Sequence, residues 1–121
     1  MRRTGHGIFR NACFWKETTR DKIDFIALKQ IIRCQSDSNY TSFFLNTGKV
    51  ILVTRTLKEF ELALESCRFI RTHQSHLVNA DHIKSLVKSE GGYLKMSDGS
   101  SVPISRARKD GVLKAIGAFQ R

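Results

Sequence analysis

The chain has 121 residues, 40% of them hydrophobic and 26% charged, with 21 Lys and Arg against 11 Asp and Glu for a formal charge of +10. That length suits one domain with one modest core, since domains cluster near ~100–150 residues; no apolar run approaches the ~20 residues that cross a bilayer, and the start lacks a secretory signal, so a cytoplasmic protein is expected. A pI of about 10.0 calls for a polyanionic partner, with nucleic acid first because each neutralised phosphate releases counterions, and a membrane surface set aside because no basic amphipathic helix is evident.

Residues 1–20 carry Arg2, Arg3, Arg10, Lys16 and Arg20 against Glu17 and keep no sustained period, which reads as a basic arm or linker before a domain at 21–121. From Lys22 the pattern changes to short apolar runs, IDFIAL at 23–28, IIRC at 31–34, SFFL at 42–45 and KVILV at 49–53, which predict strands. Asn46-Thr47-Gly48 supplies the tight turn between the last two. Thr56-Leu57-Lys58-Glu59 matches a helix capping box, and Leu57, Phe60 and Leu64 predict a short apolar stripe ending near Ser66. Further strands are expected around Phe69-Ile70 and Leu77-Val78, then at Ile83–Val87, Tyr93–Met96 and Val102–Ile104, with Asp98-Gly99 turning the last pair. Val112, Leu113, Ile116 and Phe119 have helical spacing after Ser105 as a candidate N-cap. A mostly-β fold with one or two short helices is expected, with a meander as the simplest arrangement of the runs from 23 to 53.

Three polar stretches carry the chemistry. In the first, Arg71-Thr72-His73-Gln74-Ser75-His76 lies between apolar anchors, so it reads as a loop held at both ends. Arg71, His73, Gln74 and Ser75 can bond base edges or phosphates, and Gln can serve adenine N6 and N7 together; a solvated turn is the plainer alternative. The second, Ser105-Arg106-Ala107-Arg108-Lys109, puts three cations at the expected start of a helix, where they oppose the dipole unless an anion arrives. A tolerated charge run on a solvated face is the alternative. The third, Ser36 to Tyr40, could present Asn39 and Tyr40 to DNA, although turns favour these residue types for backbone reasons alone.

His73, His76 and His82 with Asp81 fit neither the H-E-x-x-H pattern nor a finger, so no metal site is expected and a histidine metalloenzyme is the weakest reading. Cys13, Cys34 and Cys67 hold no C-x-x-C pair and read as reduced thiols. Gly91-Gly92 reads simply as a turn, and neither a phosphate loop nor a serine-nucleophile motif is present, so neither cofactor nor enzymatic activity is expected. An RNA or single-strand binder stacking bases on Tyr40, Trp15 and Phe residues is the alternative binding class, with little aromatic content in the basic loops to support it.

FIRTHQSHLVNADHIKSL and GGYLKMSDGSSVPISR, with SNYTSFFL and TLKEF before them, resemble the signature of the bacterial LytTR DNA-binding family over about 100 residues from Lys22 to the C-terminal helix. The resemblance implies an elongated array of small antiparallel sheets with short helices, and a response-regulator-like transcription factor whose loops enter successive major grooves and bend the duplex. It assigns the contacts to the loop ending at Asn39-Tyr40, to His73-Gln74-Ser75 and to Arg106 through Lys109, with Arg71 and Asn79 also on motif positions. Asn79 stays open as a turn or cap residue. Gln74 stands where relatives often carry Arg or Asn, and Ala107 where they are often basic, so the sequence read is expected to differ. The family also implies a homodimer on repeated half-sites; phosphorelay control is not carried over, because family members usually carry a receiver that this chain has no length for.

Overall fold

Ile31-Ile32, Phe69-Ile70 and Leu77-Val78 are apolar doublets in extended stretches. Successive side chains of a strand point to opposite faces, so a doublet requires cover on both sides. The computed structural model, which describes residues 14–64, 67–89 and 91–119, supplies that cover.

Strands β1 (Phe14–Thr18) and β2 (Ile23–Ala27) pair as a two-stranded sheet. Strands β3 (Ile31–Asp37), β4 (Tyr40–Leu45), β5 (Val50–Val53), β6 (Phe69–His73) and β7 (His76–Asn79) form a five-stranded sheet in the order β5-β4-β3-β7-β6. A third sheet contains β8 (Ile83–Val87), β9 (Tyr93–Met96) and β10 (Ser101–Pro103) in the order β10-β9-β8. All pairings are antiparallel. Helix α1 (Leu57–Ala63) follows β5, and α2 (Lys109–Phe119) follows β10 through a 3-10 turn at Arg106–Arg108. Other 3-10 turns, Leu28–Gln30 and Ala80–His82, lead into β3 and β8.

The central sheet separates two cores. Ile31, Phe69 and Leu77 point into the first, with Trp15, Phe43 and Phe60. The Phe60 ring meets Trp15 and Phe43 edge-on at centroid distances of 4.6 and 4.9 Å. Ile32, Ile70 and Val78 point the other way, against Leu94, Met96 and Val102 of the third sheet and Val112 of α2. Asn79 is buried at the end of β7, donating to the carbonyls of Leu28 and Ile31 while its Oδ1 accepts from Asp81 N–H, so it is a structural cap that ties two 3-10 turns together.

Much of the sequence reading is met: small antiparallel sheets with two short helices, the Asp98-Gly99 hairpin, and a capping box at α1 in which both reciprocal bonds are present. Four expectations need correction. Residues 14–18 are not an arm, because β1 pairs with β2 and Trp15 is buried in the first core; residues 1–13 of that segment, Cys13 among them, lie outside the described residues. The stretch 71–76 is not a long loop, because Arg71, Thr72 and His73 complete β6 and His76 opens β7, leaving only Gln74-Ser75 to turn. Thr72 is buried in this edge strand although it is polar. Of the three cations expected at the helix start, Arg106 and Arg108 lie in a 3-10 turn and only Lys109 opens α2, and Ser105 makes no side-chain cap bond. Leu113 is exposed, so the apolar stripe of α2 runs through Val112, Ala115 and Ile116. The expected α1 terminus near Ser66 and the Phe119 side chain lie outside the described residues.

If β1 belongs to the folded unit, Trp15→Ala should destabilise it by about 3–5 kcal/mol. Urea denaturation measures this, and a loss below about 1 kcal/mol would show β1 to be a dispensable arm.

Candidate nucleic-acid interface

Register places the three polar stretches. Gln35 of β3 pairs with His76 of β7, and Ser36 N–H donates to Ser75 C=O at 3.0 Å. The β3–β4 turn, Ser38-Asn39, and the β6–β7 turn, Gln74-Ser75, therefore emerge at the same end of the central sheet. Ser105 N–H donates to Thr72 C=O at 2.9 Å, which fastens the third stretch beside β6 one residue short of His73. Tyr40, His73 and Arg106 thus share one margin. At the opposite end, Asn46 N–H donates to Gln30 C=O, closing the β4–β5 turn onto the first 3-10 turn.

The β3–β4 turn has a positive φ of 59° at Ser38 and none at Asn39, the pattern of a type II′ hairpin turn. Asn39 and Tyr40 are exposed at its tip. In the β6–β7 turn Gln74 is exposed and its side-chain amide has no partner among the described residues, whereas Ser75 is half-buried and its N–H donates to His73 Nδ1 at 3.0 Å. That bond fixes the neutral tautomer of His73, with Nε2 carrying the proton.

Four arginines of the sheets and their connections are engaged: Arg33 stacks over Phe44 and bonds Ser100 and Gln35, Arg55 lies 3.7 Å from Glu17, Arg68 pairs with Asp81 at 2.7 Å, and Arg71 joins them, while exposed Arg20 in the β1–β2 turn makes no ion pair among the described residues. Arg71 is the most occupied. Its Nη1 reaches Glu61 at 2.6 Å, its Nε donates to His73 C=O and its Nη2 to Gln74 C=O, with 11% of the side chain exposed. By contrast, Arg106, Arg108 and Lys109 make no ion pair among the described residues. Lys109 lies against the β8–β9 connection, where a Cβ on Gly92 would stand 3.8 Å from its Cε. Lys88, at the start of that connection, is exposed. Glu61 was overlooked, since nothing local in the sequence joins it to Arg71.

Trp15 is buried and so not available for base stacking, while Tyr40 is 47% exposed. His82 is committed to Lys29 C=O at 2.7 Å and to Ser97 Oγ at 3.0 Å, away from the His73–His76 ring pair. Burial holds the Cys34 thiol well above its usual range, which makes it a core residue rather than a nucleophile.

His76 faces His73 with ring centroids 5.4 Å apart, and its Nδ1 is buried without a hydrogen-bond partner. Burial, then electrostatic coupling to the neighbouring His73 and the Arg33 guanidinium, push its pKa from 6.5 down to about 4. Between those values the unfolded chain binds the proton that the folded chain refuses, so this stabilisation is complete above pH 6.5 and is lost as pH falls toward 4. Denaturation at about pH 7.5 and about pH 5 should show lower stability in acid, and His76→Gln should shrink the difference. An unchanged difference in the variant would assign the acid sensitivity to other groups.

Comparison with known proteins follows the same lines. The family model of the LytTr DNA-binding domain matches residues 21–117. The heme-containing CO-sensing transcriptional regulators RcoM 1 and RcoM 2 of Paraburkholderia xenovorans are 32% and 33% identical over 101 residues, 81% of this chain and 38% of each relative. The CO-responsive transcriptional regulator RcoM of Rhodospirillum rubrum is 30% identical over 88 residues, 70% of this chain and 37% of the relative. The chain thus spans well under half the length of these relatives. A solved LytTr DNA-binding domain from Bacillus cereus matches with a TM-score of 0.74 over 87% of this chain and 97% of that one, at 24% identity, which shows a shared fold. The chain belongs to the LytTr DNA-binding domain family.

Proposed function

We propose that the chain binds double-stranded DNA sequence-specifically and regulates transcription; its relatives are named as transcriptional regulators. The observation that carries this reading is the partition of charge: Arg106, exposed, and Arg108 and Lys109, half-buried, make no ion pair among the described residues on the margin where Gln74 also offers an unpartnered amide. In this reading Arg106, Arg108 and Lys109 fix the register on phosphates, while Gln74 and the Nε2–H of His73 read base edges in one major groove. Ser75 holds the His73 tautomer, and Asn39 and Tyr40 reach an adjoining stretch of duplex. Two copies on repeated half-sites complete the proposal. Heme binding and CO sensing are named for the longer relatives, and no step here draws on them.

Competition binding over a range of salt should give a log-log slope of about −0.9 per phosphate contact, hence about −3 to −5 for three to five contacts. Affinity independent of salt would contradict the reading. After selection from random duplexes, Gln74→Ala should lose about 1–3 kcal/mol of discrimination at one base pair, while Lys109→Ala weakens selected and random duplexes almost equally. Tighter binding to single-stranded RNA of equal length than to the selected duplex would favour the stacking alternative.

A further inference from the structure

Glu61 presents a chemical puzzle. It is a carboxylate beside the margin that the preceding reading assigns to a polyanion, on a chain carrying +10 overall. Left to electrostatics alone, an acid there would repel phosphate and weaken binding. Its bond to Arg71 gives it another purpose.

The β6–β7 turn does not specify its own shape. Gln74-Ser75 lacks the Gly, Asn or Asp usual in two-residue hairpins, and pairing is irregular between Arg71 and His73. Its conformation is held from outside. Arg71 donates to the carbonyls of both His73 and Gln74, at 2.9 and 2.6 Å, so one planar guanidinium spans the entry to the turn. Glu61 of α1 accepts from the remaining nitrogen at 2.6 Å and fixes the direction of that plane. With each of its three nitrogens committed and little of the side chain exposed, Arg71 is built to hold the turn and not to receive a phosphate.

We infer that Glu61 and Arg71 form a positioning pair that sets base preference by holding the Gln74 turn in the geometry that reads the groove. The inference rests on the DNA-reading function proposed above. Glu61 acts through Arg71, and Arg71 through the two carbonyls; neither touches a base. Lys at position 71 would keep the charge but could not grip two carbonyls and a carboxylate in one plane.

The experiment measures affinity for the selected duplex and for a random duplex at fixed salt, in the wild type and in Glu61→Ala, Glu61→Gln, Arg71→Lys, Gln74→Ala and the Glu61→Ala/Gln74→Ala double variant. Thermal denaturation confirms that each is folded. Glu61→Ala and Arg71→Lys should each lower the selected-to-random ratio by about tenfold, the scale of one good base contact. Glu61→Gln, which can still accept from Arg71, should lie between. Because Glu61→Ala removes a negative charge, its random-duplex affinity should rise modestly, opposite in sign to the loss at the selected site. Once Gln74→Ala is present, Glu61→Ala should cost little more, as for two residues acting through one contact. An unchanged ratio in Glu61→Ala and Arg71→Lys, or a parallel fall on both duplexes, overturns the pair. A wild-type ratio of one fails earlier and differently, because it removes base reading itself.

Discussion

Burial of the central sheet on both faces is the constraint from which the rest follows. Each apolar doublet commits one residue to the core under β1, β2 and α1 and its neighbour to the core under the third sheet and α2. A shift of one residue in β3, β6 or β7 would exchange the two sets, and two cores of different shape would both be spoiled. Register is therefore pinned from two sides, and with it the level at which the hairpin tips emerge. The bond from Ser36 to Ser75 and that from Ser105 to Thr72 then convert strand register into the relative placement of three turns. A functional margin is thus a consequence of core packing some distance behind it.

Charge follows a division of labour on this frame. The arginines that lie along strands or at their ends serve the fold: Arg33 reaches from β3 to Ser100, where Asp98 accepts from the Ser100 hydroxyl, and Arg68 closes on Asp81. Those of the 3-10 turn after β10 have no such duty. A net charge alone cannot make this distinction, since both classes count equally in the formal sum. Partnering makes it, because a cation already hydrogen-bonded to protein has less to offer a phosphate than one that is merely hydrated.

The sequence made legible whatever is local in chain. The capping box of α1, the Asp98-Gly99 turn and the strand from Tyr93 to Met96 all depend on residues within a few positions of one another. The resemblance to LytTR domains added an array of small antiparallel sheets with short helices, which the fold shared with a solved LytTr domain supports. What stayed hidden depends on distant partners. β1 was missed because only Trp15 of its five residues is buried, too little to show alternation among Lys16, Glu17 and Thr18. The length of β6 was missed because its inward residue is Thr72 and its neighbours are polar. Arg71 was nominated for DNA from its type and motif position, while its three partners come from the turn it precedes and from a helix ten residues upstream. The candidate turns were visible as polar breaks in an apolar pattern, but their common location was not, since it is a property of strand order.

The shared margin can be tested directly by following backbone amide resonances while a duplex from the random selection is titrated in. The account predicts that amides of 38–40, 73–75 and 105–109 move together along one saturation curve, while those of Leu28–Gln30 and 46–48, at the far end of the same sheet, stay in place. Perturbations centred on that far end, with the three turns unmoved, would contradict it.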